Sequence, residues 1–184
     1  MQSVYVQSTT LQPWQNKNKS CFESMIRGLV HVIENLSLTE LIGNRTRGIH
    51  KAMEDGRLRQ TPISWGKSAI VDSSSGISQK SIFKLDGVGN CICGKHKIGI
   101  ILCLNNREAI GTNFLKAELS DRFFASNNKD EESACVLLCL SRETLNLGGW
   151  DKSYADATEY IEAFRGAYSN FIKSPISVLE VHAP

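Results

Sequence analysis

The stretch NCICGKHKIGIILCLNNRE, residues 90–108, decides the fold. Two runs of strand-forming residues, 90–93 and 97–104, flank Gly94-Lys95, which is typical of the turn in a β-hairpin. The second run is apolar at nearly every position and therefore predicts a central strand that is covered on both faces. Polar residues at 105–108 follow it directly, so they should project from the end of that strand.

Further strands and helices are predicted on both sides of this hairpin. Helices are expected at 113–124 and 154–171, and strands at 81–85, 135–140 and 176–181. Because a helix joins the strands at 97–104 and 135–140, these two strands should run parallel. The predicted core order is α-β-β-β-α-β, and the fold class is α/β, with a mixed central sheet flanked by helices.

The N-terminal part of the chain is predicted to be helical. Residues 1–19 are polar with no sustained period, and we interpret them as an arm. Capping boxes at Ser20/Glu23 and Ser37/Glu40 begin two helices, the first with an apolar stripe that runs to Ile33. A basic helix is expected at about 45–55. We therefore expect one domain at 20–184, with a helical basic part at 20–60 and the sheet core at 81–184.

The composition fits one ordinary globular domain. The chain has 184 residues, of which 41% are hydrophobic and 22% charged, and this excludes a disordered or fibrous protein. No apolar run approaches the ~20 residues that span a bilayer, and no secretory signal is apparent. We therefore expect a cytoplasmic protein with no membrane partner. The net charge of +2 permits a polyanionic partner without requiring one.

The cysteines do not predict a disulfide framework. Four of the six lie in apolar, strand-like sequence, where a free cysteine packs as a small hydrophobic residue. The group Cys91, Cys93 and His96, with Cys103 further on, leaves a zinc-dependent regulator open as an alternative. A zinc site usually has a second closely spaced ligand pair, and none is present here. A plain β-hairpin that turns at Gly94-Lys95 explains the same residues.

Residues 83–118 resemble the PD-(D/E)xK nuclease superfamily, and in particular type II restriction endonucleases of the BamHI and BglII type. The resemblance is carried by FKLDG at 83–87, by the hairpin, and by GIILCLNNRE at 99–108 before a helix and an apolar strand; it covers about residues 81–182. It implies a restriction-endonuclease-like domain of a restriction-modification system that binds double-stranded DNA as a homodimer and uses Mg2+. Asp86 matches the first metal-binding acid.

The chain departs from the family pattern at the second set of metal ligands. The family strand carries Glu-x-(Glu, Gln or Lys), and the matching positions hold Ile101 and Cys103, which do not suit Mg2+. In one interpretation the fold is catalytically degenerate and binds DNA or a protein partner. In the other, cleavage survives because the acid has moved: Asp86 holds the metal with Glu108 or Glu118, and Lys116 polarises the attacking water.

The position of Glu118 on its helix bears on that choice. Helix 113–124 should turn Phe114, Leu115, Leu119 and Phe123 toward the sheet. A glutamate next to this stripe is usually solvated, although Glu118 could point inward beside Leu115 and Phe114.

Two groups of residues are candidates for DNA contacts. The segment 45–59 could neutralise phosphates, and the tail of the central strand carries side chains that suit bases or phosphates. The candidates are Arg45, Arg47, Lys51, Arg57, Arg59, Asn105, Asn106 and Arg107. A solvated basic face and a polar turn remain alternatives for the two groups. Sequence-specific, Mg2+-dependent cleavage is expected only if the active site is functional.

Overall fold

A six-stranded sheet forms the centre of the computed structural model, which describes residues 4–13, 19–37, 39–40, 63–66, 84–91, 93–127 and 132–184. The strands are β1 (Tyr5–Gln12), β2 (Ile63–Gly66), β3 (Gly87–Cys91), β4 (His96–Leu102), β5 (Glu132–Leu140) and β6 (Ile176–His182). The helices are α1 (Lys19–Glu34), α2 (Ala109–Asn127), α3 (Arg142–Leu147) and α4 (Ala157–Ala163), which continues into a π-helical turn at Phe164–Tyr168.

The sheet is mixed, with the strand order β1-β6-β5-β4-β3-β2. Strands β4, β5 and β6 run parallel, whereas β1, β2 and β3 pair antiparallel with their neighbours. This arrangement confirms the predicted α/β class, the hairpin and the parallel pairing of its second strand with β5. The hairpin turns at Gly94, whose φ of +73° is a conformation that glycine adopts without strain.

The two faces of the parallel strands are buried in two separate cores. On one face, Ile98 and Ile100 pack in the same core as Phe22 and other residues of α1. On the opposite face, Ile101 packs in a core that includes Phe114 of α2 and residues of α4. Neighbouring residues of β4 enter different cores because side chains alternate across a strand. This two-sided burial confirms the central, covered strand that the apolar run predicts.

Strand β1 corrects the expectation of a polar arm at residues 1–19. Residues 5–10 pair with residues 177–182 of β6, Tyr5 stacks on the His182 ring, and the Val6 N–H donates to Glu34 of α1 (3.2 Å). Its side chains are mostly exposed or half-buried, so the segment lacks the apolar alternation that marks a half-buried strand. Its backbone completes the edge of the sheet.

Other boundaries also differ from the sequence analysis. Strand β3 spans Gly87–Cys91 where a strand at 90–93 was predicted. Of the separate strand predicted at 81–85, only residues 84 and 85 are described, and Lys84 makes an isolated bridge. Strand β2 and helix α3 have no counterpart among the predicted elements. The Ser37/Glu40 capping box is present, since each backbone N–H donates to the other residue's side chain. The basic helix at 45–55 lies outside the described residues.

Candidate functional site

Asp86 lies beside the carboxyl end of β4 and supports its backbone. The Asp86 N–H donates to the Ile100 carbonyl (2.9 Å), and the Asp86 carboxylate accepts a hydrogen bond from the Leu102 N–H (2.8 Å). The side chain therefore extends the hydrogen-bond pattern between β3 and β4 beyond the first residue of β3. One of the two carboxylate oxygens, Oδ2, therefore has a structural role at this position.

Ile101 and Cys103, the residues at the expected metal positions, are both fully buried. They belong to an apolar core that also contains Leu85 and Phe114. An aliphatic chain has no ligand atom, and a thiol is a soft ligand that Mg2+ does not favour. The residues present therefore do not fit Mg2+ at this position.

A buried polar pair lies in the same core, and the sequence analysis missed it. Asn113 Nδ2 donates to the Tyr160 hydroxyl (2.7 Å), while Asn113 Oδ1 has no hydrogen-bond partner in the described part of the chain. Burial raises the pKa of Tyr160 far above its usual range, so the hydroxyl stays neutral. The pair joins α2 to α4, and neither residue belongs to a recognisable motif.

Glu118 is buried, contrary to the solvated position that is usual for a helical glutamate. Its Oε2 accepts hydrogen bonds from the backbone N–H groups of Lys173 (2.9 Å) and Ser174 (3.0 Å) and from the Ser174 hydroxyl (2.8 Å). Arg122 donates to Oε1 (2.9 Å). Burial opposes ionisation, but these hydrogen bonds hold the pKa of Glu118 below its ordinary value. The carboxylate anchors the loop that precedes β6, at the amino end of the parallel strands, whereas Asp86 lies at their carboxyl end.

The inner face of α2 differs from the predicted one. Phe114, Ala117 and Glu118 are buried, and Leu115 is 45% exposed. The helix is therefore rotated relative to the predicted apolar stripe. Of the other catalytic candidates, Glu108 is exposed just before α2, and Lys116 is half-buried on that helix.

The polar residues that follow β4 are exposed at the carboxyl end of the parallel strands, as the sequence predicts. Asn105, Asn106 and Arg107 are all exposed, and Arg107 forms an ion pair with Glu159 of α4. The Ser153 hydroxyl donates to Asn106 Oδ1 (3.2 Å). These contacts fix the tail against the loop that precedes α4.

Arg142 adds a second guanidinium group at this end of the parallel strands, and the sequence analysis did not identify it. It is the first residue of α3, two positions after the end of β5, and it forms ion pairs with Asp156 and Glu159, both at 2.8 Å. The signal that could have located this network is the capping box at Asp156 and Glu159, which begins α4. The remaining DNA candidates, Arg45, Arg47, Lys51, Arg57 and Arg59, lie outside the described residues.

A cluster of four metal-ligating side chains lies at the opposite end of β4. The ligand atoms of Cys21, Cys91, Cys93 and His96 all lie within 4.8 Å of one another, and the part of the chain with described positions contains no other such group of three or more Cys, His, Asp or Glu residues. Cys103, which the sequence analysis grouped with the hairpin ligands, is instead buried in the apolar core.

The thiols of this cluster differ in acidity. Burial acts to raise the pKa of Cys93, but hydrogen bonds from the Lys95 backbone and from neighbouring side chains lower it to about 6. Burial and hydrogen bonding to Cys91 and Cys93 raise the pKa of Cys21 to about 12. Cys93 is therefore the more acidic of these two thiols.

A solved nuclease complex has the same architecture. The chain is similar to the structure titled "Crystal structure of restriction endonuclease BGLII complexed with DNA 16-mer", with a TM-score of 0.61 and 10% identity over 97% of this chain and 77% of that chain. The chain has a restriction-endonuclease-like fold. No family model and no curated protein matches its sequence.

The restriction-endonuclease-like fold explains the arrangement of the hairpin, α2 and β5 around Asp86. At 10% identity the likeness shows the fold, and the chemistry must be argued from this chain's own residues. Among the residues with described positions, no helix is both long enough and apolar enough to cross a bilayer.

Proposed function

We propose that this chain binds double-stranded DNA through a restriction-endonuclease-like fold that has lost the Mg2+ site. The observation that carries the proposal is the complete burial of Ile101 and Cys103 in an apolar core. Metal-assisted hydrolysis of a phosphodiester needs hard oxygen ligands, and these two positions supply none. In this proposal the chain has lost DNA cleavage and has kept DNA binding.

A displaced-acid nuclease that uses Glu118 has less support. Glu118 would have to leave five hydrogen-bond donors, two of which are backbone N–H groups, in order to bind a metal. Buried donors without an acceptor are costly. The Asp86 carboxylate is likewise engaged by the Leu102 N–H.

Charge and exposure at the carboxyl end of the parallel strands support DNA as the ligand. Arg107 and Arg142 both lie at this end, and both are paired with Glu159. A guanidinium group can exchange a carboxylate for a phosphate with the same fork geometry. The segment 45–59 has five basic and two acidic residues, a net charge of +3, and supplies further phosphate contacts in this proposal. The similar BglII structure contains a DNA 16-mer.

A salt titration of duplex-DNA affinity tests the proposal. Fluorescence anisotropy between about 50 and 200 mM salt should show log affinity falling linearly with log salt concentration, with a slope of about −0.9 per phosphate contact. Arg45→Ala and Arg47→Ala should each lower the magnitude of that slope by about 1. Lys173→Ala is the matched control, because Lys173 is exposed at the other end of the parallel strands and should leave the slope unchanged.

Cleavage assays on the same preparations separate the two parts of the proposal. We expect no cleavage of duplex DNA in Mg2+. Undetectable or salt-independent DNA affinity would contradict the DNA ligand and favour a protein-interaction subunit. Mg2+-dependent cleavage that Asp86→Ala abolishes would contradict the degenerate site. If the chain binds two-fold sites, light scattering should show a homodimer, since a two-fold protein matches a two-fold sequence.

Asp86→Ala should lower stability and leave DNA affinity unchanged. The substitution removes the acceptor of the Leu102 N–H, and the loss of a hydrogen bond to a charged acceptor costs about 1.5–3 kcal/mol. Urea denaturation of the variant measures this loss, and Asp86→Asn, which keeps an oxygen acceptor, is the matched control. Equal stabilities for the alanine variant and the wild type would argue against this role.

A further inference from the structure

Three sulphur atoms and one imidazole nitrogen converge between α1 and the β3–β4 hairpin. Cys21 Sγ lies 2.6 Å from Cys91 Sγ and 3.9 Å from Cys93 Sγ, and Cys93 Sγ lies 2.9 Å from His96 Nδ1. These residues come from the first turn of α1, the end of β3, the hairpin turn and the start of β4. The fold therefore joins a helix and a hairpin that are 70 residues apart in sequence.

We propose that Cys21, Cys91, Cys93 and His96 form a Cys3His site for Zn2+ that fixes α1 to the β3–β4 hairpin. A tetrahedral site with Zn–S bonds of about 2.3 Å and a Zn–N bond of about 2.0–2.1 Å separates its ligand atoms by roughly 3.5–3.8 Å. The Cys21–Cys93 separation of 3.9 Å already fits this geometry. The Cys21–Cys91 and Cys93–His96 separations need to open by about 1.2 Å and about 0.6 Å to reach this geometry, which side-chain rotation can supply.

The surroundings of His96 match those of a zinc ligand. Its Nδ1 faces the cluster, and its Nε2 lies 3.8 Å from Glu132 Oε2. A ligating histidine usually directs its second ring nitrogen to a carboxylate, which fixes the tautomer and strengthens the metal bond. The ring is buried and meets the Phe22 ring edge-on at 5.1 Å. The Glu132 N–H also donates to the Lys95 carbonyl (2.9 Å), which holds this carboxylate beside the turn.

The ligand set indicates a structural role rather than a catalytic one. Four protein ligands occupy all the coordination positions of a tetrahedral zinc ion and leave none for water or substrate. Thiolates also select Zn2+ over Mg2+. The site lies at the amino end of β4, whereas Asp86, Arg107 and Arg142 lie at the carboxyl end of the parallel strands, so the site is separate from those two arginines.

Metal analysis of the purified full chain tests this site directly. We expect about one zinc ion per chain, and replacement by Co2+ should give the visible d–d bands and thiolate charge-transfer bands of a tetrahedral thiolate site. Cys21→Ala and Cys93→Ala should lose the metal, whereas Cys135→Ala, a buried cysteine in the other core, should keep it. Glu132→Gln should weaken zinc affinity by about 10- to 100-fold.

Several outcomes would overturn the proposal. The first is that the wild-type protein binds less than one zinc ion per chain after Zn2+ is added. The second is that mass spectrometry finds a Cys21–Cys91 disulfide in protein kept under reducing conditions. The third is that Cys21→Ala gives the same Co2+ spectrum as the wild type. If a cysteine variant fails to fold, the zinc content and Co2+ spectrum of the wild type decide. A lower melting temperature after chelation that added Zn2+ restores would support a structural role.

Discussion

Ile101→Glu should unfold the protein rather than restore a metal site. Ile101 is fully buried in the core with Leu85 and Phe114, and an unpaired charge in such a place costs about 3–5 kcal/mol or more. That cost is comparable with the entire free energy of unfolding of a domain, about 5–15 kcal/mol. Urea denaturation with and without Mg2+ measures the effect.

The matched control for this prediction is Ile101→Leu. It keeps the side-chain volume and adds no charge, so its cost should stay below about 1.5 kcal/mol. If Ile101 instead lined a metal pocket, Ile101→Glu would fold and gain stability when Mg2+ is added. That result, or DNA cleavage by the variant, would contradict the degenerate site.

Glu118→Ala should be the second most damaging substitution, with a loss of about 3 kcal/mol or more in the free energy of unfolding. The variant leaves the backbone N–H groups of Lys173 and Ser174 without their acceptor, and hydrogen bonds to a charged group contribute about 1.5–3 kcal/mol each. Glu118→Gln keeps one acceptor oxygen and should lose less. Glu162→Gln, on an exposed residue of α4, should change stability by less than about 0.5 kcal/mol.

The role of Glu118 also predicts a pH dependence. Because the pKa of Glu118 is lower in the folded chain than the ordinary value of 4.5, the unfolded chain takes up the proton first as pH falls. The stabilisation is complete above the unfolded pKa and is lost as pH falls through the folded pKa. Wild-type stability should therefore fall more steeply below about pH 4.5 than that of Glu118→Gln. Parallel curves for the two proteins would show that Glu118 does not carry this effect.

Local pattern was sufficient to predict the centre of the fold. The apolar run at 97–104 required cover on both faces, the Gly94 turn required a hairpin, and the helix after the run required a parallel neighbour. Each of these inferences depends on residues close together in sequence. The structure confirms all three, since β4 is buried in two cores, pairs antiparallel with β3 and pairs parallel with β5.

Edge strands and buried polar groups could not be predicted in this way. The polar sequence of β1 forms a strand because β6 offers it an unpaired edge. The sequence of residues 5–12 does not indicate this pairing. Glu118 is buried because a loop that is more than 50 residues further along supplies its donors. The apolar stripe that includes Leu115 predicts that Leu115 faces the sheet, whereas α2 is rotated so that Glu118 is buried and Leu115 is partly exposed.

In the candidate sites too, features that depend on neighbouring residues could be predicted, and features that depend on distant residues could not. The sequence was enough to see that Ile101 and Cys103 replace metal ligands, but it did not show whether they face a cleft or a core. The cysteine pair at 91 and 93 was visible, and Cys103 was grouped with it because it lies nearby in sequence. Cys21 could not be identified as a partner, since only the packing of α1 on the hairpin brings it there.

The pairing of β1 with β6 also has a consequence for how the chain folds. Tyr5 pairs with His182, so the first strand in sequence can complete the sheet only after the last one has left the ribosome and docked on β5. Contacts of such long sequence separation raise the contact order and slow folding. Until β1 arrives, the outer edge of β6 is open to strands of other molecules, and this interval is when the newly made protein is most exposed to aggregation.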